Sequence, residues 1–244
     1  MRKSQAGFTM VELLVALVIG LFLLGGLMTI VQDNRRTFAS QNQLSQLQDS
    51  ERLAMTMMTD VIQAAGYFPS PTINTAASAL PVSGSFVTAG QGLVGSYSGT
   101  PPGDSITVRY ATNSGDGILN CTGGTNTSGA IATYVNQFSV VNGQLVCTLN
   151  GTAYPLVGTL STVANGIVVY NLSVLYGVNT SGAGNNVNSY VNAAGVANWS
   201  EVISVQVSLT FLNPLWSAAN VGQGNQPQYL TFQRVVSVMN ETGI

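Results

Sequence analysis

The sequence predicts an α+β protein in which a long N-terminal helix, membrane-spanning in its first half, packs on an antiparallel β-sheet C-terminal domain. Three observations carry that expectation. Phe8 to Val31 reads FTMVELLVALVIGLFLLGGLMTIV, an apolar run with a single charge, Glu12. Helical spacing continues beyond it to a stop at Gly66-Tyr67-Phe68-Pro69-Ser70-Pro71. After Ser70 charges nearly vanish, and short segments alternate between apolar and polar residues in the manner of strands.

Composition narrows the function classes before any motif is read. Of 244 residues, 45% are hydrophobic and only 7% charged, against about 25% in an average soluble domain. Net charge is -2, so there is no basic face for nucleic acid and no direct nucleic-acid binding is expected. The chain has no histidine, which removes the commonest general base and metal ligand together with Ser-His and Cys-His nucleophile pairs. The one lysine, Lys3, precedes the apolar run. No catalytic residue, metal site or cofactor is expected.

The apolar run, as a helix, measures about 36 Å at 1.5 Å per residue and spans a hydrocarbon core of about 30 Å. It is too long for the apolar region of a secretory signal peptide, about 7–15 residues, and no small-residue cleavage site ends it. A plain membrane anchor leaves Glu12 unexplained, because a carboxylate in lipid is costly and requires a partner. Ala16-x-x-x-Gly20 allows close approach of another helix. Gly25 and Gly26 add to that loosening, with ordinary membrane-helix glycine content as the alternative.

From Gln32 the sequence turns polar but keeps helical habits, with apolar or small residues at Leu44, Leu47, Ala54, Met58, Val61 and Ala65. Met55, Met57 and Met58 are assigned to packing on a sheet in preference to a partner groove. Residues 72–103, rich in Ala, Ser, Gly and Pro, read as an irregular loop with one short strand at Ser85–Thr88. Strands are expected at 105–110, 134–141, 144–149, 167–175, 203–209 and 229–235, with Asn142-Gly143 as a hairpin turn. Linkers are placed at 177–198 and 217–228. Cys121 and Cys147 should pair in an exported chain, closing a loop worth about 3.5 kcal/mol in the chain-entropy model; two buried free thiols are the alternative.

The segment Lys3-Ser4-Gln5-Ala6-Gly7, followed by Phe8-Thr9-Met10-Val11-Glu12-Leu13, resembles the leader and cleavage motif of type IV pilins and type II secretion pseudopilins. The resemblance implies cleavage between Gly7 and Phe8 by a prepilin peptidase, N-methylation of Phe8, and an assembly role for Glu12. Burying the new ammonium beside a neighbour's carboxylate turns two costly charges into one hydrogen-bonded pair. Charge does not fix orientation, since Arg2 and Lys3 are matched by Arg35 and Arg36. Leader chemistry and the cysteine pair argue for a cytoplasmic N-terminus and a periplasmic distal domain.

A second resemblance, to the PilW family of minor pilins, rests on four segments. They are Ala64-Ala65-Gly66-Tyr67, Gly103-Asp104-Ser105-Ile106-Thr107-Val108-Arg109-Tyr110, Cys121 with Gly123 close behind, and Leu145-Val146-Cys147. Met239 departs from the basic residue expected there, and the apolar run lacks the proline usual in major pilins. The implied division is a leader at 1–7, a fibre-core helix at 8–31, an amphipathic helix at 32–66 and a β-rich domain at 67–244. The implied function is that of a minor pilin in a priming or tip complex, supporting twitching motility, adhesion or DNA uptake. Its implied partners are other minor pilins, the major pilin, the prepilin peptidase and a possible tip adhesin, with the inner membrane as its site before assembly and the pilus fibre afterwards. Two alternatives stand beside it, a type II secretion minor pseudopilin and a membrane-anchored adhesin. An enzyme is the weakest, since no nucleophile and base can be paired.

The few remaining charges have modest expected roles. Asp104 and Asp116, each beside glycine, read as turn residues in preference to calcium ligands. Arg109 is expected to pair with Asp104 or another carboxylate inside the domain, with a partner contact as the sharper alternative. Trp199 and Trp216 fit either core or interface.

Overall fold

The computed structural model describes residues 7, 9–161, 166–180, 186–216 and 226–238. Helix α1, Met10–Gln63, is one uninterrupted run of 54 residues. The chain divides within it into two units, Met1–Ser45 and Gln46–Ile244. In the first unit the described side chains are almost all exposed, Phe22 at 80% and Leu24 at 66% among them. Its apolar window has a mean hydropathy of 2.7 and is long enough to cross a membrane.

The second unit holds the core. Leu47, Ala54, Met55, Met58, Val61, Ile62 and Ala65 are buried along one face of the helical segment, as the spacing of three, four and seven predicts. They join a single cluster with residues of both sheets, including Ile106, Phe138, Leu172, Tyr176, Leu209 and Phe211. Met55 and Met58 are thus core methionines. The helix stops where expected: Gly66 takes φ +75°, and its N–H donates to the Arg109 carbonyl at 2.9 Å. A side chain at Gly92 would place its Cβ 2.2 Å from the Gly66 nitrogen, so the close approach of these two segments requires glycine.

Two antiparallel sheets make up the β-rich part. The first is a five-stranded meander of β1 (Leu93–Ser96), β2 (Ser105–Thr112), β3 (Ala132–Val141), β4 (Gln144–Leu149) and β5 (Thr152–Val157), paired in chain order. The second contains β6 (Val169–Val178), β7 (Ser189–Val191), β8 (Val202–Leu212) and β9 (Tyr229–Ser237) in the order β7-β6-β8-β9. Backbone hydrogen bonds join the sheets, from Asp104 to the Leu172 carbonyl at 2.8 Å and from Val169 to the Gly143 carbonyl at 2.8 Å.

Six expected strands are present with ends shifted by a few residues, and Asn142-Gly143 turns the β3–β4 hairpin with φ of 50° and 83°. The short strand expected at Ser85–Thr88 is absent; only a single bridge joins Ser83 to Phe86. The strand in this region is β1, preceded by a four-residue helix, α2 (Ala76–Ala79), capped by Thr75. Strand β5 was not anticipated either, although Asn150-Gly151 repeats the hairpin signal and takes φ of 49° and 90°. The linker expected at 177–198 includes β7 and a 3₁₀ turn at Ala193–Gly195. Most of the second linker, 217–225, and Met239 lie outside the described residues.

Candidate functional site

Thr9 stands just before the first residue of α1, and Glu12 lies in its first turn. The Thr9 N–H and hydroxyl both donate to Glu12 Oε2, at 2.9 and 3.0 Å, and the Glu12 N–H reaches back to Thr9 Oγ1 at 3.3 Å. This reciprocal arrangement is a capping box, and it satisfies two donors that the helix start leaves without partners. Thr9 was missed from sequence, although Thr9-Met10-Val11-Glu12 carries the signature in plain form. Glu12 is exposed, as is Gly7, while Phe8 lies outside the described residues.

One turn further on, Ala16 and Gly20 share a face of α1. A Cβ at Gly20, Gly25 or Gly26 would meet nothing within 4 Å. Apolar side chains without intramolecular cover surround these positions: Leu13, Leu17, Leu21 and Leu24 are each more than half exposed. Such a surface is stable in lipid or against other helices. The site therefore combines a carboxylate at the head of an apolar helix with small-residue positions below it.

Distal residues singled out from the sequence serve the fold. Cys121 and Cys147 form a disulfide with Cα atoms 6.3 Å apart, tying the β2–β3 connection to β4. Arg109 does not pair with Asp104. The residue is 2% exposed, and its guanidinium donates to the carbonyls of Gln91 (2.7 Å), Pro81 (2.5 Å), Leu80 (3.1 Å) and Thr88 (3.5 Å). Its outer face lies 4.3 Å from the centroid of the Phe86 ring. Burial draws its pKa down, yet arginine starts above about 12 and stays a cation. The expected ion pair gives way because four carbonyls of the 80–91 segment match the fixed fork of donors.

Asp104 accepts from the N–H groups of Ser98 at 3.0 Å and Val174 at 2.8 Å, clipping the β1–β2 turn to the second sheet. Asp116 accepts from Asn113 and Ile118. Both carboxylates close turns, in line with the preferred reading of their glycine-flanked sequences. Trp199 packs edge-on to Tyr176, with centroids 4.8 Å apart. Tyr176 leaves room for its hydroxyl only because residue 95 is glycine, whose Cβ would stand 1.9 Å from that oxygen.

Residues 2–28 match the family described as the prokaryotic N-terminal methylation motif, and residues 134–241 match Type IV Pilus-assembly protein W. The chain is thus similar to type IV pilins at its N-terminus and to the PilW family over the later part of its β-rich region. Of the four segments behind the PilW resemblance, Leu145-Val146-Cys147 falls inside the matched stretch and the other three precede it. Among solved structures the chain is similar to a type IV-like pilin from Thermus thermophilus. Identity is 15% over 81% of this chain and 97% of that one, with a TM-score of 0.42. No curated protein sequence matches. PilW-family proteins serve pilus assembly, a structural rather than catalytic task. The residues that match the methylation motif run straight into the apolar helix, which is long and apolar enough to cross a membrane.

Proposed function

We propose that this chain is a PilW-type minor subunit of a type IV pilus, entering a priming or tip complex after cleavage between Gly7 and Phe8. In this reading residues 1–7 are the leader, 8–31 the membrane and fibre-core helix, 32–66 the helix that seats the distal domain, and 67–244 the periplasmic part. Phe8 becomes the methylated N-terminus. The observation that carries the reading is the join of a cleavable Gly7-Phe8 sequence to a helix whose apolar surface has no cover of its own and whose head bears Glu12.

Cleavage changes what Glu12 faces. Before processing its carboxylate is held by Thr9; afterwards a secondary ammonium at Phe8 needs a counter-ion in a low-dielectric bundle, and Glu12 of a neighbouring subunit supplies it. Ala16 and Gly20 let the neighbouring helix approach closely enough for that pairing. Supporting twitching, adhesion or DNA uptake would follow from fibre assembly, with the distal sheets presenting partner-specific surfaces.

Two variants separate the capping role from the charge role. Glu12→Gln keeps a capping-box acceptor at this position but carries no charge; Glu12→Ala removes both. The expected result is loss of both variants from sheared fibres, with normal membrane levels and an intact distal disulfide. Incorporation of Glu12→Gln at the parental level would overturn the pairing role. Peptide mass spectrometry of sheared fibres should find methyl-Phe8 at low abundance, whereas processed protein confined to the envelope would point to a secretion pseudopilin.

A further inference from the structure

Each sheet has two edges, and three of the four are poor templates for another strand. β1 has four residues and β7 three. β5 carries Pro155 and pairs with β4 across a register shift at Leu145/Val146. β9 differs on every count: nine residues, no proline, and nine consecutive pairs with β8 without a shift. Natural edges of this length are usually blunted.

The direction of its free groups follows from the ladder. The Val238 N–H donates to the Ile203 carbonyl, and the Gln228 carbonyl accepts from Asn213. Even-numbered residues therefore bond toward β8, and alternation turns the N–H and C=O of Tyr229, Thr231, Gln233, Val235 and Ser237 outward. All five residues are exposed. On the opposite face Leu230 and Phe232 are only partly covered at the margin of the core. Arg234, the one charge on the strand, is exposed and makes no hydrogen bond or ion pair among the described residues.

We infer that the open edge of β9 is a strand-addition site for a different pilin-type subunit, taking an extended strand that sets a carboxylate beside Arg234. The nature of the partner rests on the function proposed above. A second copy of this chain is a poor occupant. The antiparallel register that pairs all nine residues places the two Arg234 side chains diagonally across the joint, and a two-residue shift sets them directly opposite, where like charges repel. A heterologous strand with apolar residues over Leu230 and Phe232 and an acid beside Arg234 meets the same edge without that repulsion.

The test uses the full-length protein in its native membranes. A benzophenone amino acid at position 235 is photocrosslinked in intact cells, and the adduct is sequenced by mass spectrometry. The expected adduct is to a different chain bearing an N-terminal methylation motif. Gln233→Pro removes an outward N–H and leaves the β8 ladder intact; it should abolish the adduct while thermal unfolding of the domain is unchanged. Should that variant misfold, Arg234→Glu serves instead and should reduce the adduct about tenfold, with recovery when the partner's acid is changed to arginine. An adduct indifferent to both variants, an adduct to a second copy, or no adduct overturns the assignment. Methyl-Phe8 measured in the same cells reports separately on the pilin function.

Discussion

Two arginines on two strands, Arg109 in β2 and Arg234 in β9, show how differently one side chain is used in one β-rich domain. Arg109 lies in β2, where both faces are buried; it spends its guanidinium on four carbonyls and so fixes the 80–91 segment against the first sheet. Arg234 lies in β9, exposed and without a partner among the described residues. In a domain this poor in charge, one is a buried donor and the other an exposed cation. The buried one substitutes for secondary structure in a segment that has almost none, and the exposed one sits on the least protected edge of the molecule.

That comparison is broken most severely at Arg109. Replacing it by methionine keeps much of the apolar stem but leaves buried carbonyls without donors, each costing about 1–3 kcal/mol. A loss of at least about 3 kcal/mol is expected in chemical denaturation followed by the fluorescence of Trp199 and Trp216. Arg109→Lys should fall between, since one ammonium cannot reproduce the planar fork. A loss under about 1 kcal/mol for the methionine variant would mean that water replaces the guanidinium.

A second contrast lies in pH. Two core tyrosines, Tyr110 and Tyr176, have their pKa values raised from an ordinary value of about 10, chiefly by burial. Their folded-state values lie above the unfolded ones, so the stability they contribute is complete below pH about 10 and is lost as pH rises beyond it. With no histidine in the chain, denaturation midpoints should be nearly flat from about pH 6 to 9 and then decline. Tyr110→Phe should flatten the alkaline decline, although it also gives up the 2.6 Å hydrogen bond to the Leu119 carbonyl. A slope unchanged in that variant would assign the alkaline transition to other groups.

The legibility of the sequence divides along similar lines. Repeating patterns were read well: the helix to its glycine and proline stop, the buried stripe from Leu47 to Ala65, and the alternating strands β2, β3, β4, β8 and β9. What failed was set by contacts distant in sequence. Segment 72–103 looks irregular because its order comes from Arg109 and from pairing of β1 with β2, neither visible in local composition. The scarcity of charges suggests pairing Arg109 with Asp104, but backbone carbonyls 18 or more residues away hold Arg109, and the N–H groups of Ser98 and Val174 hold Asp104. Thr9 as the partner of Glu12 and the Asn150-Gly151 turn were legible and went unread. The methylation motif was legible because it is a short contiguous stretch of chain.

The mildest change sharpens the comparison most. Arg234→Ala removes a charge that touches no described residue, so the isolated protein should change stability by no more than about 0.5 kcal/mol. Arg109 and Arg234 are both mid-strand arginines in antiparallel sheets, and strand position alone would give them similar costs. If burial and hydrogen bonding govern, the two alanine variants should differ by several kcal/mol in the same denaturation experiment. A cost at Arg234 close to that at Arg109 would mean that its side chain holds the β9 edge within the monomer, and the edge would then be closed to partners.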